Sequence, residues 1–273
     1  MAPLAPTRTS MRRGVRNGLR LVFPRLMHRR ALSHDEWREI EEDLLPAVVD
    51  PARAAVDVGA HAGSYTMQLA RIVPRVFAFE PDPEMAGLLR RAAPRNVVVS
   101  SDALSDTAGH KTFRVPVAAG HVSVTLGSLA PVDAESTIER QVRTSTLDQL
   151  AGEDIGFVKI DVEGHEAEVL AGGRELLRRW RPVLLLEANG AEDLARLATF
   201  FADHDYAGCF VHPGGVTRPI DELTADLQDP AELARPVTRR EMRFVNNVFY
   251  APVDQVPALR RRLDAALAGP AAR

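Results

Sequence analysis

A predicted strand, a turn with two glycines and a predicted helix follow one another over residues 54–72, and this feature constrains the fold most. The strand, residues 54–58, is an almost unbroken apolar run, which is typical of a buried parallel strand. Gly59 and Gly63 allow the backbone to turn sharply and to approach a ligand. Apolar residues then recur at helical spacing. The pattern predicts the first unit of a doubly wound α/β sheet, with a ligand at the turn.

A second apolar strand, residues 75–80, ends in an acid. Glu80 lies roughly 20 residues after the first glycine, where a doubly wound sheet commonly binds the hydroxyls of a ribose. A carboxylate suits this task because its two oxygens accept separate hydrogen bonds. Together with the glycine turn, Glu80 and the adjoining Pro81 predict a site for a small molecule that contains adenosine.

The spacing of the glycines distinguishes between adenosine cofactors. Dinucleotide folds use G-x-G-x-x-G to bring a pyrophosphate onto a helix N-terminus, whereas Gly59 and Gly63 form G-x-x-x-G. Asp57, just inside the turn, would repel a pyrophosphate but suits an ammonium group. S-adenosylmethionine offers an ammonium for Asp57 and a carboxylate for the helix N-terminus near Ser64, so the pattern favours it over NAD.

Two further stretches join the two already described, which gives four in all: V-D-V-G-A-H-A-G-S-Y-T, F-E-P-D-P, V-K-I-D-V-E-G-H-E-A-E-V-L-A-G and L-L-L-E-A-N. In this order, over roughly residues 50–250, they resemble the FkbM family of S-adenosylmethionine-dependent methyltransferases. The resemblance implies methyl transfer to oxygen of a sugar, a glycan or a polyketide-like natural product. The family usually has asparagine where this chain has His61, a residue type that also tolerates unusual backbone regions and hydrogen-bonds.

The predicted fold class is α/β: a Rossmann-like class I methyltransferase sheet, mostly parallel, with an antiparallel strand at the C-terminal end. The antiparallel strand is expected because the β-rich segments 210–212 and 244–250 lack a crossover helix of the usual kind between them.

Residues 1–45 are predicted to form a basic N-terminal extension and a leading helix, and residues 46–273 a methyltransferase domain. A hairpin inserted near 111–140 is expected to overhang the site. Its predicted strands are 111–117 and 122–129, which alternate in the manner of surface strands.

The third strand, residues 96–100, leads to Asp102 and Ala103 at the same carboxyl edge, where open α/β sheets bind ligands. Asp102 is therefore a candidate acceptor for the adenine amino group. The predicted cofactor-binding residues are Asp57, Gly59, His61, Gly63, Tyr65, Glu80, Pro81, Asp102, Ala103 and Asp161.

Three acids and a histidine crowd the loop after the fourth strand, next to the expected position of the methyl group. A hydroxyl acceptor must be held in line with the carbon–sulfur bond and must lose its proton. Asp161 and His165 are predicted to act in catalysis because a strand-end loop is the ligand edge. Glu163 and Glu166 fit a catalytic role and a helix start equally well. Glu187, at the end of the fifth strand, is the third predicted catalytic residue.

The same mouth is a candidate metal site. Asp161, Glu187 and Asn189 carry side-chain oxygens that could hold Mg²⁺, which would bind and acidify a substrate hydroxyl. Alternatively, the two acids balance the charge of a cationic cofactor.

Composition limits the remaining classes. A hydrophobic content of 45%, a charged content of 26% and a net charge of −3 are ordinary for a soluble globular enzyme and argue against nucleic-acid binding. The lone cysteine, Cys209, excludes an internal disulfide and suits the cytoplasm.

The first 30 residues are rich in arginine, from Arg8 to Arg30, and contain no acid. They lack the apolar run of a signal peptide or a membrane span. Two interpretations stay open: a loosely docked extension, or a short amphipathic helix at an anionic membrane or an acidic partner. A helix with a capping box at Ser33 and Glu36 is predicted to follow.

Two other functions are compatible with parts of the sequence. An NAD-linked oxidoreductase would share the sheet, but the glycine spacing and the lack of a Tyr-x-x-x-Lys pattern disfavour it. A non-catalytic module with the cofactor fold could bind a partner through the Arg8–Arg30 segment.

Overall fold

The computed structural model describes residues 39–118, 121–122, 127–131, 136–229, 231–232 and 244–269. The predicted Arg8–Arg30 segment and the capping box at Ser33 lie outside these residues. None of the helices in the described stretches has both the length and the apolar character that a bilayer span requires.

Helices and strands alternate along most of the chain. The α-helices are α1 (Ile40–Val48), α2 (Ser64–Ile72), α3 (Pro83–Ala92), α4 (Glu166–Ala171), α5 (Arg174–Trp180), α6 (Ala191–Phe201) and α7 (Val256–Leu267). The strands are β1 (Ala54–Val58), β2 (Val76–Phe79), β3 (Val97–Ser100), β4 (Ala103–Leu104), β5 (Gly109–Ala118), β6 (His121–Val122), β7 (Ser136–Ser145), β8 (Ile155–Ile160), β9 (Val183–Glu187), β10 (Tyr206–His212), β11 (Val216–Pro219) and β12 (Asn247–Pro252).

Eight of these strands form the main sheet, in the order β11-β10-β12-β9-β8-β1-β2-β3. Strands β3, β2, β1, β8 and β9 pair in parallel, whereas β12 runs antiparallel to both of its neighbours, β9 and β10. The predicted mostly parallel sheet with an antiparallel C-terminal strand is confirmed. The order reverses between β1 and β8, so the switch point of this sheet lies where their carboxyl ends meet.

Alternate residues of the central strands enter two separate cores, one on each face of the sheet. Val56 of β1 and Val158 of β8 pack on one face with α4, α5 and α6. Ala55 and Phe157 pack on the other face with α1, α2 and α7. Burial on both faces explains why β1 and β8 read as nearly continuous apolar runs.

The segments predicted to form the hairpin lie in a second sheet, of order β4-β7-β5-β6, in which β5 has a partner on each side. The long partner of β5 is β7, which pairs with it from Gly109–Thr144 to Val117–Ser136. The predicted partner 122–129 contributes Val122 and an isolated bridge at Ser128, and residues 123–126 lie outside the described stretches. In the described residues the two predicted segments therefore pair antiparallel at Val117–Val122 and Arg114–Ser128, and β7 is an additional partner of β5 that the alternation did not indicate.

The start of α3 and the end of α1 can be compared with the local sequence. The Asp82 carboxylate accepts hydrogen bonds from the backbone N–H groups of Glu84 and Met85 and so caps α3, which has Pro83 in its first turn. Helix α1 continues to Val48, three residues beyond the predicted end at 45, and its apolar side shares a core with α7.

Candidate active site

The glycine turn after β1 lies directly against the loop after β8. Gly59 has a φ of +76°, and a Cβ atom placed on it would be 1.8 Å from the carbonyl oxygen of Asp161. The Asp161 N–H donates to the carbonyl of Val58 at 3.1 Å. Glycine at position 59 therefore lets the two loops meet at the switch point. Gly63, also at positive φ, forms the N-cap of α2.

The Glu80 carboxylate stands at the end of β2 and fastens this turn. Its Oε2 accepts from the His61 N–H and its Oε1 from the Asp82 N–H, both at 2.7 Å. Burial raises the pKa of Glu80 to about 7. Each carboxylate oxygen keeps a second lone pair, so the group can still accept from a ribose hydroxyl. Pro81 lies half-buried between Glu80 and Asp82.

The predicted contact between Asp57 and an ammonium group does not match the structure, because the Asp57 side chain is enclosed. It is 0% exposed, and its Oδ2 accepts from the Thr66 hydroxyl at 2.5 Å. Its Oδ1 lies 3.9 Å from the ammonium of Lys159, the residue opposite Asp57 in the β1–β8 register. Burial raises the pKa of Asp57 against the lowering effect of Lys159.

Lys159 is a buried cation beneath the site, and the sequence analysis gave it no role. Its ammonium is 2.9 Å from Asp161 Oδ2 and 5.0 Å from the centre of the Tyr65 ring. Burial lowers the pKa of Lys159, but Asp161 and Asp57 outweigh this and raise it. The Tyr65 hydroxyl donates to Glu39 at 2.8 Å, so this tyrosine packs against Lys159 within the core instead of facing a ligand as predicted.

His61 occupies the left-handed region, with a φ of 46°. Its Nε2 is buried and has no hydrogen-bond partner among the described residues. Burial and the nearby Lys159 lower the pKa of His61, which keeps the ring neutral at pH 7. A neutral imidazole with a free nitrogen is compatible with its predicted place in the cofactor turn.

Two arginines of β7 lie over the carboxyl ends of β2 and β3. Arg140 Nη1 is 2.8 Å from Asp82 Oδ2, and Arg143 Nε is 2.7 Å from Asp102 Oδ1. The predicted adenine contact, Asp102, is thus held by Arg143. The Ala103 side chain is buried in the small core of the second sheet, so only its backbone remains available for a ligand.

Carboxyl groups crowd the ends of β8 and β9. Burial would raise the pKa of Asp161, but Lys159 outweighs it and holds this carboxyl ionised. Burial and the charges of Asp161 and Glu163 raise the pKa of Glu187 well above its ordinary value. A carboxylate oxygen of Asp161 lies within 4.8 Å of one of Glu187, and the negative charge of Asp161 favours the protonated form of Glu187. Asn246 Nδ2 donates to Glu187 Oε1 at 3.0 Å.

The predicted catalytic residue His165 is turned away from this group. Its Nε2 is 2.9 Å from the fully buried hydroxyl of Ser105, and its Nδ1 is 3.5 Å from Glu168 Oε2. Lys111 at the base of the hairpin bonds to the same hydroxyl at 2.7 Å. His165 therefore joins α4 to the hairpin, and a role in proton transfer is not supported by its position.

The oxygen ligands of the candidate metal site differ from the predicted set. Asp161, Glu163 and Glu187 each have a carboxylate oxygen within 4.8 Å of the others. Asn189 is exposed, and its backbone N–H donates to Asp193. These carboxylates are ligands that Mg²⁺ accepts, but the Lys159 ammonium already bonds to Asp161 Oδ2 at 2.9 Å.

The sheet order, the glycine turn and the acid at the end of β2 together define a Rossmann-like methyltransferase fold. The family described as the methyltransferase FkbM domain matches residues 57–207. The chain belongs to this family, as the resemblance in its four motifs had implied.

Individual relatives match over shorter parts. The chain is 32% identical over 145 residues to hexuronic acid methyltransferase AglP of Haloferax volcanii, covering 48% of this chain and 56% of that protein. It is 35% identical over 101 residues to an rRNA methyltransferase of Streptomyces thermotolerans, covering 36% and 32%. The crystal structure of methyltransferase FkbM from Methylobacillus flagellatus KT aligns with 17% identity and a TM-score of 0.48, over 73% of this chain and 44% of that one. The chain thus spans about half the length of the first curated relative.

Proposed function

We propose that the protein is an S-adenosylmethionine-dependent methyltransferase that acts on a hydroxyl oxygen of a sugar or glycan. The observation that carries the proposal is the meeting of the Gly59 turn with Asp161 at the switch point, with Glu80 at the end of the neighbouring strand. A small nucleoside cofactor binds at this point in doubly wound sheets. Membership of the FkbM family supports the reaction class.

In this proposal the residues divide the cofactor between them. Glu80 accepts from the ribose hydroxyls, and the His61 turn and the first turn of α2 face the amino-acid part. Asp161, ionised through Lys159, stands beside the positive sulfonium and balances its charge. The cofactor supplies the methyl group and its own leaving group, so the protein mainly positions the acceptor.

The acceptor class rests on the relatives. One of them is named a hexuronic acid methyltransferase, and we infer a hexose or hexuronic acid acceptor for this chain. Residues 46–273 form the methyltransferase domain in our proposal, and residues 1–45 an extension whose arginines contact an anionic membrane or an acidic partner.

We propose transfer without a bound metal, because the Lys159 ammonium already neutralises Asp161. The predicted Mg²⁺ remains the second possibility, since three carboxylates lie together. Turnover measured with EDTA and with added Mg²⁺ distinguishes the two: an unchanged rate supports the metal-free reaction, and loss of activity in EDTA that Mg²⁺ restores supports the metal.

Calorimetric titration tests the cofactor. We expect S-adenosylmethionine and S-adenosylhomocysteine to bind and NAD to give no heat, with and without Mg²⁺. Glu80→Gln should weaken S-adenosylhomocysteine by about tenfold, a loss of about 1.4 kcal/mol, while the exposed control Asp203→Asn should not. Binding of NAD alone would overturn the proposal in favour of an oxidoreductase.

A further inference from the structure

Four carboxyl groups stand at the ends of β8 and β9, and three of them have fixed partners. Asp161 bonds to Lys159 at 2.9 Å, and Glu187 accepts from Asn246 at 3.0 Å. Glu166 Oε1 accepts from the backbone N–H groups of Val162 and Gly164, at 2.9 and 3.3 Å.

The fourth group, Glu163, differs. In the described part of the chain its carboxylate accepts no hydrogen bond, although an oxygen of it lies within 4.8 Å of Asp161 and Glu187 oxygens. The side chain is half-buried, so it remains reachable from outside. It is the acid of this group that is near the expected methyl position and still free to take up a proton.

The backbone at Glu163 is held in a conformation that its residue type rarely adopts. Its φ is 56°, in the left-handed region that glycine or asparagine occupies more easily. The Ser128 hydroxyl, from the hairpin, lies 2.7 Å from the Glu163 carbonyl and 3.0 Å from that of Val162. A strained backbone that the surrounding structure maintains at a ligand edge indicates a functional side chain.

We propose that Glu163 accepts the proton of the acceptor, and that the acceptor atom is a neutral hydroxyl oxygen and not a carboxylate. The inference rests on the proposed function. As the hydroxyl oxygen forms its bond to the methyl carbon, the carbon–sulfur bond breaks and its electron pair stays on sulfur. The hydroxyl proton passes to the Glu163 carboxylate and from there to water.

The charges around Glu163 support both its role as the proton acceptor and the choice of a hydroxyl as the acceptor atom. A carboxylate placed at the position of the acceptor atom would be repelled by the ionised Asp161, whereas a hydroxyl there can donate to Glu163. Burial, together with Asp161 and Glu166, raises the pKa of Glu163 to about 8, while Lys159 acts to lower it. The pKa of Glu187, the other acid that faces Glu163, is raised as well.

Methyl transfer from labelled S-adenosylmethionine tests this with p-nitrophenyl β-D-glucuronide, which offers hydroxyls and a carboxylate, and with the corresponding glucoside. We expect an alkali-stable methyl ether. Glu163→Gln should lower kcat by about 10²- to 10⁴-fold and remove the rise of rate with pH, with unchanged affinity for S-adenosylhomocysteine. Glu163→Asp should retain part of the activity. The matched control is Glu175→Gln, at an exposed acid of α5.

Three results would overturn the inference: a Glu163→Gln enzyme with near wild-type kcat, an unchanged pH profile, or label released by mild alkali as methanol from an ester. A wild-type protein that binds neither S-adenosyl compound would instead refute the proposed function. Labelling with a carbodiimide and an amine requires no acceptor. Glu163 should be modified before Asp161, Glu166 and Glu187, with protection by S-adenosylhomocysteine, and the reverse order would contradict the assignment.

Discussion

The acidic residues in the two halves of the ligand edge have different kinds of partner. At the ends of β2 and β3, here called the nucleoside half, each acid has a partner that is not an acid: backbone N–H groups for Glu80, and arginines for Asp82 and Asp102. At the ends of β8 and β9, the transfer half, Asp161 and Glu187 face other carboxyl groups, and the Lys159 ammonium contacts Asp161.

This difference separates binding from chemistry. Partnered acids keep a fixed position, which suits recognition of a ribose. Crowded acids raise one another's pKa values, an arrangement that destabilises the folded state and that active sites often contain. The transfer half is therefore the part of the edge where proton movement is expected.

Replacing Lys159, the buried cation that contacts Asp161, gives the largest expected effect. Lys159→Met leaves Asp57 and Asp161 without their shared ammonium in a buried setting, and should lower the free energy of unfolding by about 3–5 kcal/mol. The control is Arg218→Met, which breaks an ion pair whose side chains are both 50% exposed and should cost less than about 1 kcal/mol. Urea denaturation measures both, and equal losses would contradict the buried cluster.

The contact between the two halves can be broken at Gly59. An alanine there would have to adopt a φ of +76° and place its methyl against the Asp161 carbonyl. We expect a loss of about 3 kcal/mol from strain and overpacking, and loss of cofactor binding. Gly152→Ala, with no atom within 4 Å of the new methyl, should change stability by less than about 0.5 kcal/mol. If the Gly59→Ala variant is stable and calorimetry shows that it still binds S-adenosylmethionine, close contact between the two turns is not required for cofactor binding.

Within the transfer half, Asp161→Asn separates charge balance from binding. Turnover should fall by about 10²-fold because positive charge moves from sulfur toward the acceptor oxygen during transfer and the Asp161 carboxylate no longer stabilises it there. The affinity for S-adenosylhomocysteine, which lacks the sulfonium charge, should change by less than about threefold. Steady-state kinetics and titration measure the two. An unchanged rate would remove Asp161 from the catalytic residues.

The crowding of the transfer half also predicts a pH dependence of stability. The pKa of Glu163 is about 8 in the folded protein and near 4.5 when unfolded, so the folded state binds more protons between these values. Stability contributed by this group is then present at low pH and is lost as the pH rises, by up to about 1.4 kcal/mol per pH unit. Glu163→Gln should raise Tm relative to wild type at pH 8 and not at pH 4. A difference that is independent of pH would contradict this.

The nucleoside half was largely predictable from the sequence. The Asp82 cap depends on neighbours close in the chain, and apolar runs place the strands that lead to Gly59 and Glu80 at one edge. The transfer half was predictable in position only. Which face Lys159 occupies depends on the register of β8 against β1, and this sets the partner of Asp57.

Orientation explains the other differences. His165 was expected in the mouth from its place in the loop, but α4 starts at Glu166 and the ring turns toward Ser105. Arg140 and Arg143 lie far along the chain from Asp82 and Asp102, and they reach these acids because β7 of the hairpin packs beside the ends of β2 and β3. Such contacts between distant segments leave no local pattern.

The arginine contacts of the nucleoside half should give the smallest effects. The Asp82 side chain is 2% exposed, so Arg140→Gln should lower stability by about 1 kcal/mol, whereas Arg143→Gln, at a side chain that is 69% exposed, should lower it by less than about 0.5 kcal/mol. The Arg140 effect should persist in high salt because its carboxylate partner is buried, and the Arg143 effect should disappear. Thermal unfolding at low and high salt measures this, and a larger loss at Arg143 would mean that the hairpin is held by its exposed pair.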